Sequence, residues 1–175
     1  VLDIKLICDE ANKYKIPVVL DNTFSTALIQ KPLELGATLS LISTTKFING
    51  HSDALGGAVL TNNEEWNSKM LFSQKALGLQ PSPFDTWLIT RGVKTLPLRI
   101  EQQTKSAEII SKEIENHRII SKVFYPFNQK HPQFNLAKSQ MKSGGSMITL
   151  KLNLNKSDTF KFCKSLRYFS LAESL

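Results

Sequence analysis

The chain has 175 residues, of which 41% are hydrophobic and 21% charged, a composition that is typical of a globular protein and excludes disorder. No apolar run approaches the roughly 18 residues of a membrane-spanning helix, which excludes a transmembrane protein. The formal net charge is +7, but no two Lys or Arg residues are adjacent. This scatter favours a solvated basic surface, or an acidic small-molecule ligand, over a nucleic-acid site.

The first half of the chain predicts an α/β layer. Apolar residues at helical spacing indicate a helix that ends near Lys15, before Pro17. A buried strand follows over residues 18–20 and ends on Asp21. Further elements are predicted as strands over 38–43 and 57–60 and as a helix that starts at Asn63 and stops at Gly78.

The second half predicts a long helical segment and then a smaller α+β unit. Its elements are a helix over 84–116 broken or kinked at Pro97, a strand at 123–125, an alternating strand over 146–154, a helix capped by Ser157 and a closing strand at 168–171. The change from long helices to short strands and helices indicates a domain boundary near residue 118. We therefore predict two units, 1–118 and 119–175.

The most informative segment surrounds Lys46. Ser43 and Thr45 place two hydroxyl groups shortly before this lysine, directly after a predicted strand. The Walker order GxxxxGK[ST] is absent, so nucleoside triphosphate binding is not indicated. Such a lysine could form a Schiff base with a cofactor whose phosphate binds the hydroxyls. The alternative is a solvated surface lysine.

Asp21 lies at the carboxyl end of an apolar strand, where open α/β sheets place ligand groups. A buried carboxylate needs a cationic or hydrogen-bonding partner, and a pyridinium nitrogen would serve. The alternative is an Asp that caps the next segment through Asn22 or Thr23. The two cysteines, Cys8 and Cys163, lack the number and spacing of a disulfide framework or a metal site and are predicted to be reduced thiols.

Several segments in the same order resemble the Cys/Met-metabolism family of pyridoxal-phosphate enzymes, which act in trans-sulfuration. They are Asp21–Phe24, Lys31–Ala37, Ser43–Asp53, Ala76–Gly78, Pro81–Asp85, Arg91–Leu96, His131–Gln133 and Ser170–Leu175. The resemblance implies an α/β fold of type I, with a partial aspartate aminotransferase-like large domain followed by a partial α+β C-terminal domain.

The resemblance also implies roles for individual residues. Lys46 matches the lysine that binds pyridoxal 5'-phosphate covalently and moves protons on the substrate. Ser43 and Thr45 match the pair that binds the cofactor phosphate, Asp21 the partner of the ring nitrogen, and Thr23 a hydroxyl at the ring edge.

On the substrate side, Glu173 and Ser174 match positions that contact the substrate, and no metal is expected. The implied activity is the α,γ-elimination of cystathionine by a γ-lyase, with γ-synthase, β-lyase or methionine γ-lyase as alternatives. A cytoplasmic homotetramer without nucleic-acid or membrane partners is expected. The length, about half that of family members, and the first residue, Val1, predict an internal fragment, so a truncated, non-catalytic remnant is the alternative of another class.

Overall fold

The computed structural model describes residues 1–172, in which five strands and seven α-helices form two sheets and their flanking layers. The helices are α1 (Ile4–Lys13), α2 (Thr26–Ile29), α3 (Glu64–Leu77), α4 (Pro83–Val93), α5 (Leu96–Glu113), α6 (Phe134–Gln140) and α7 (Lys156–Ser165). The strands are β1 (Val19–Asp21), β2 (Leu39–Ser43), β3 (Gly57–Leu60), β4 (Ile120–Phe124) and β5 (Thr149–Leu152). Across this range, none of the helices is long and apolar enough to cross a membrane.

The first sheet has the order β1-β2-β3 and contains the three strands predicted from the first half of the sequence. β1 runs parallel to β2, with Asp21 opposite Leu41, and β3 runs antiparallel to β2, with Ser43 opposite Gly57. Because parallel strands end at the same edge of a sheet, the residues that follow β1 and β2 are brought together.

Helix α1 begins where the side chain of Asp3 accepts a hydrogen bond from the backbone N–H of Leu6 at 3.0 Å. Its buried residues Ile4 and Cys8 pack with Ala37 at the approach to β2. The prediction that residues 18–20 form a buried strand is wrong in its burial. Val18 and Leu20 pack against the cluster of Ile4, Cys8 and Ala37, whereas Val19 lies on the opposite face of the strand and is 48% exposed.

The long helical segment breaks at Pro97, as predicted. Helix α4 starts at Pro83 behind the Ser82 cap, whose Oγ accepts the Asp85 N–H at 3.1 Å. The chain then turns, and α5 starts with Pro97 in its first turn, where the missing proline N–H costs no helical hydrogen bond.

The second sheet pairs β4 with β5 antiparallel, with Val123 opposite Leu150. Along β5 the half-buried Leu150 and Leu152 alternate with exposed Thr149 and Lys151, as the sequence alternation predicted. The hydroxyl of buried Tyr125, which follows β4, donates to the carbonyl oxygen of Gly145 at 3.0 Å.

Two predictions for the second half are wrong. Helix α7 is capped by Asn155, whose Oδ1 accepts the Asp158 N–H at 2.9 Å, and Ser157 lies in its first turn. Residues 168–171 form no strand: they pair with no described strand, and Tyr168 is 86% exposed. The short helices α2 and α6 were not predicted.

The two sheets are joined by contacts around Gln30. Gln30 and Met141 form an isolated antiparallel bridge. The Gln140 side chain donates to the carbonyl oxygen of Leu2 at 2.8 Å and to Oε1 of Gln30 at 3.3 Å. The end of α6 therefore holds the segment that leads from β1 to β2.

Candidate active site

The carboxyl ends of β1 and β2 are linked through Thr23, which is 5% exposed. Asp21 Oδ1 accepts hydrogen bonds from the Thr23 N–H at 2.9 Å and from the Thr23 hydroxyl at 2.5 Å. The same hydroxyl oxygen accepts the backbone N–H of Ser43 at 2.8 Å. Among residues 1–172, both hydrogen bonds to Asp21 end on Oδ1 and none ends on Oδ2.

Asp21 itself is exposed, so the expectation of a buried carboxylate is wrong for this chain. The reason is its place at the end of an edge strand. The alternative that Asp21 caps the following segment through Thr23 is confirmed by the hydrogen bond from the Thr23 N–H. The cap orients the carboxylate and leaves one oxygen for a ligand.

Lys46 lies in a wide helical turn, Thr44–Ile48, that starts where β2 ends. The turn is closed by the Asn49 N–H on the Thr44 carbonyl at 2.9 Å and by the Gly50 N–H on the Lys46 carbonyl at 2.8 Å. Lys46 departs from helical geometry, with φ −86° and ψ −121°. It lines a cavity of about 150 Å³ whose other lining residues are Thr45, Phe47, Gly50, Ser52, Arg99 and Gln103.

An aromatic contact joins the two motifs that follow β1 and β2. Phe24, next to Thr23, meets Phe47, next to Lys46, edge to face with ring centroids 6.1 Å apart. Together with the hydrogen bond between Thr23 and Ser43, this contact brings both predicted motifs to one edge of the sheet.

The hydroxyls of Ser43 and Thr45 suit an anion. Thr45 Oγ1 accepts the Gly56 N–H at 3.0 Å, but its own proton has only a long bond, 3.4 Å, to the Gly56 carbonyl. A phosphate oxygen would be the better acceptor, since hydroxyl bonds are normally about 2.7–2.8 Å. Within residues 1–172 the Ser43 hydroxyl makes no hydrogen bond. A Cβ at Gly56 would lie 2.6 Å from Thr44 Oγ1, so this loop needs glycine there.

Sequence reasoning missed the groups that support these motifs. Asn22, 2% exposed, exchanges hydrogen bonds with Gln30: its Nδ2 donates to the Gln30 carbonyl at 2.9 Å and its Oδ1 accepts from Gln30 Nε2 at 3.1 Å. Arg99 of α5 donates to the carbonyls of Phe47 and Ile48. The partners of Arg99 lie 52 and 51 residues earlier, too far for a local pattern to reveal them, and the Asn22–Gln30 pair spans eight residues across helix α2.

The remaining predicted residues give no further ligands. His51 Nδ1 lies 2.6 Å from the Asn49 carbonyl, a contact within its own loop. Glu173 and Ser174 lie outside the described residues. Among residues 1–172 no group of three or more His, Cys, Asp or Glu side chains could hold a metal ion.

The fold of the chain matches that of solved pyridoxal-phosphate-dependent enzymes of the aspartate aminotransferase-like class. Open α/β sheets of this kind place ligand groups at the carboxyl edge of parallel strands, where the lysine turn, the hydroxyls and the carboxylate lie. The chain belongs to the family of Cys/Met metabolism PLP-dependent enzymes, which matches residues 1–175.

Relatives with different reactions resemble the chain almost equally. It is 42% identical over its whole length to cystathionine β-lyase from Lactococcus lactis subsp. cremoris and 41% identical to cystathionine γ-lyase from Dictyostelium discoideum. It spans 46% and 45% of those proteins. The crystal structure of cystathionine γ-synthase from Xanthomonas oryzae pv. oryzae in complex with cystathionine matches all of the chain and 45% of its own length, with a TM-score of 0.96 and 39% identity.

Proposed function

We propose that the protein is a pyridoxal-phosphate trans-sulfuration enzyme that cleaves cystathionine as a γ-lyase, with release of cysteine, 2-oxobutyrate and ammonia. The observation that carries this proposal is the meeting of the Asp21 and Lys46 motifs through Thr23, Ser43 and the pair Phe24–Phe47. Family membership and the γ-lyase relative support it.

In this proposal each group at the sheet edge has one task toward the cofactor. Lys46 Nζ would attach it, and Asp21 Oδ2 would pair with the ring nitrogen and keep it protonated. The hydroxyls of Ser43 and Thr45 bind the phosphate. Thr23 holds Asp21 at the ring edge through its two hydrogen bonds to Oδ1.

The bound cofactor supplies an electron sink for the charge that develops on the substrate. The chain's own part would be proton movement at Lys46 Nζ, which would take the proton from the substrate α-carbon. A second proton would pass from the β-carbon to the same amine once it has given up the first. The bond from the γ-carbon to sulfur would then break, with the cysteine sulfur leaving as a thiolate that takes up a proton. Glu173 and Ser174 are proposed to face the substrate.

The β-lyase reaction is the second candidate, because the β-lyase relative is as similar as the γ-lyase one. It would release homocysteine, pyruvate and ammonia from the same substrate. The γ-synthase neighbour and the methionine γ-lyase from Micromonospora echinospora, 31% identical, represent the other trans-sulfuration alternatives. A non-catalytic remnant remains the alternative of another class.

The domain boundary and the oligomeric state are proposed together with the activity. Residues 1–118 form part of the cofactor domain and residues 119–175 part of the C-terminal domain. The complete protein is proposed to be a cytoplasmic homotetramer whose small-molecule partner is a sulfur-containing amino acid.

Product analysis of the complete, cofactor-loaded protein tests this proposal. Incubation with cystathionine should give 2-oxobutyrate and cysteine, and Lys46→Ala should give neither. Pyruvate and homocysteine would establish the β-lyase reaction instead. Formation of 2-oxobutyrate from methionine or homocysteine as the sole substrate would support the methionine γ-lyase alternative. No keto acid from any of them would contradict a lyase.

A further inference from the structure

Arg99 is bound to the backbone that follows Lys46. From α5, its Nη1 donates to the Phe47 carbonyl at 2.7 Å, and its Nη2 donates to the carbonyls of Ile48 at 3.2 Å and Gly92 at 3.0 Å. Its Nε donates to Thr95 Oγ1 at 3.0 Å. One guanidinium thus joins the lysine turn to the end of α4 and the start of α5.

These carbonyls lie where a helical turn leaves acceptors without partners. The backbone N–H groups of Asn49 and Gly50 are used on the carbonyls of Thr44 and Lys46. The next two carbonyls, of Phe47 and Ile48, lie past the end of the turn and need donors from elsewhere. The planar guanidinium fork, whose donor directions are fixed, supplies both and so sets the orientation of two consecutive peptide groups.

Gly50 makes room for this fork. Its φ of +69° is the left-handed region that glycine adopts most readily, and a Cβ built on it would overlap Nη1 of Arg99. Arg99 and Gly50 therefore fit together as one unit, and both line the same cavity of about 150 Å³ as Lys46.

The arginine is also partly removed from water without a carboxylate beside it. Desolvation lowers its pKa, and no ion pair among the described residues includes Arg99. Its charge is compensated by three carbonyl dipoles and one hydroxyl, which makes these hydrogen bonds charge-assisted and strong.

We propose that Arg99 is a positioning residue for Lys46, because it fixes the two peptide groups after the lysine and thereby the direction from which the amine reaches the cofactor. This inference rests on the proposed function in one respect, namely that Lys46 binds pyridoxal phosphate. Arg99 itself acts through the backbone.

The test compares Arg99→Met, which keeps the apolar stem and loses every donor, with Arg99→Lys, which keeps the charge and loses the fork. Arg118→Met, at an exposed site beyond α5, is the matched control. The complete protein of each variant is saturated with pyridoxal phosphate, reduced with borohydride and digested. Mass spectrometry then gives the fraction of bound cofactor fixed on Lys46, and hydrogen exchange of the apo-protein reports the amides of residues 44–50.

In Arg99→Met we expect about tenfold faster exchange of the turn amides, the scale of a lost charge-assisted hydrogen bond. We expect a similar fall in the ratio of cofactor fixed on Lys46 to cofactor bound without fixation. Arg99→Lys should lie between Arg99→Met and the wild type, and Arg118→Met should match the wild type. A purely structural role would lower the melting temperature and leave the fixed fraction of the folded protein unchanged.

Wild-type behaviour of Arg99→Lys in both measurements would overturn the positioning role, even if Arg99→Met failed to fold. If the wild-type protein fixes no cofactor on Lys46, the proposed function fails and this inference fails with it. If the wild type fixes cofactor and the folded variants fix the same fraction, only the positioning role fails.

Discussion

The Thr23 hydroxyl links Asp21 and Ser43, since it donates to Asp21 Oδ1 at 2.5 Å and accepts the Ser43 N–H at 2.8 Å. A side chain that is 5% exposed therefore couples the carboxylate at the end of β1 to the start of the lysine turn after β2. Its two functions, as donor and as acceptor, explain why a hydroxyl stands between the strands.

Thr23→Val keeps the side-chain shape and removes both hydrogen bonds. We expect it to lower the free energy of unfolding by about 1–3 kcal/mol, because the Ser43 N–H loses its acceptor in a part-buried position. Thr23→Ser should retain most of the stability. Urea unfolding of the apo-protein measures both, and equal stability of Thr23→Val and the wild type would contradict the role of this hydroxyl.

Gly92→Ala should destabilise the protein although alanine is the better helix former. Gly92 is buried in α4, and a Cβ there would overlap the Asn49 carbonyl oxygen behind the lysine turn. Backbone against backbone cannot give way cheaply, so we expect a loss of about 1–3 kcal/mol in thermal or urea unfolding. Gly57→Ala is the control, since its Cβ would have Ile42 O as its nearest neighbour at 3.7 Å. A stabilised Gly92→Ala protein would show that the contact is not tight.

Glu115 should contribute to stability only above acidic pH. Hydrogen bonds from Asn128 and Lys130 lower its pKa below the ordinary value of 4.5. A lowered pKa in the folded state means that the contribution is present above 4.5 and is lost as the pH falls through the folded-state pKa.

Unfolding of Glu115→Gln in urea checks this dependence. The variant should be less stable than the wild type at neutral pH, and the difference should vanish in strong acid. Glu113→Gln, at the last residue of α5, is the matched control, because Glu113 forms no ion pair with any described residue. A deficit of Glu115→Gln that persists in strong acid would show that the charge is not its cause.

Local sequence predicted the three strands of the first sheet well, for physical reasons. Pro17 and Gly36 separate short apolar runs from their neighbours and so mark the strands. Gly78 ends helix α3, and Pro97 lies in the first turn of α5. The residues that follow parallel strands meet at one edge, so the neighbourhood of Asp21 and Ser43 could be derived from topology.

The rest depends on contacts between distant segments. Asn155 and Ser157 are both good caps, and local sequence does not decide between residues two positions apart. Residues 168–171 have apolar character but pair with no described strand in a sheet. Arg99 donates to the carbonyls of Phe47 and Ile48, which lie 52 and 51 residues earlier in the chain, and no pattern in the sequence around Arg99 predicts this contact.

Covalent capture of the cofactor tests the central claim most directly. The complete protein is mixed with pyridoxal phosphate, reduced with borohydride and mapped by mass spectrometry, with Lys69→Ala as the control for Lys46→Ala. The account predicts a pyridoxyl group on Lys46 that is absent from Lys46→Ala and unchanged in Lys69→Ala. A pyridoxyl group on other lysines only, or none, would contradict it.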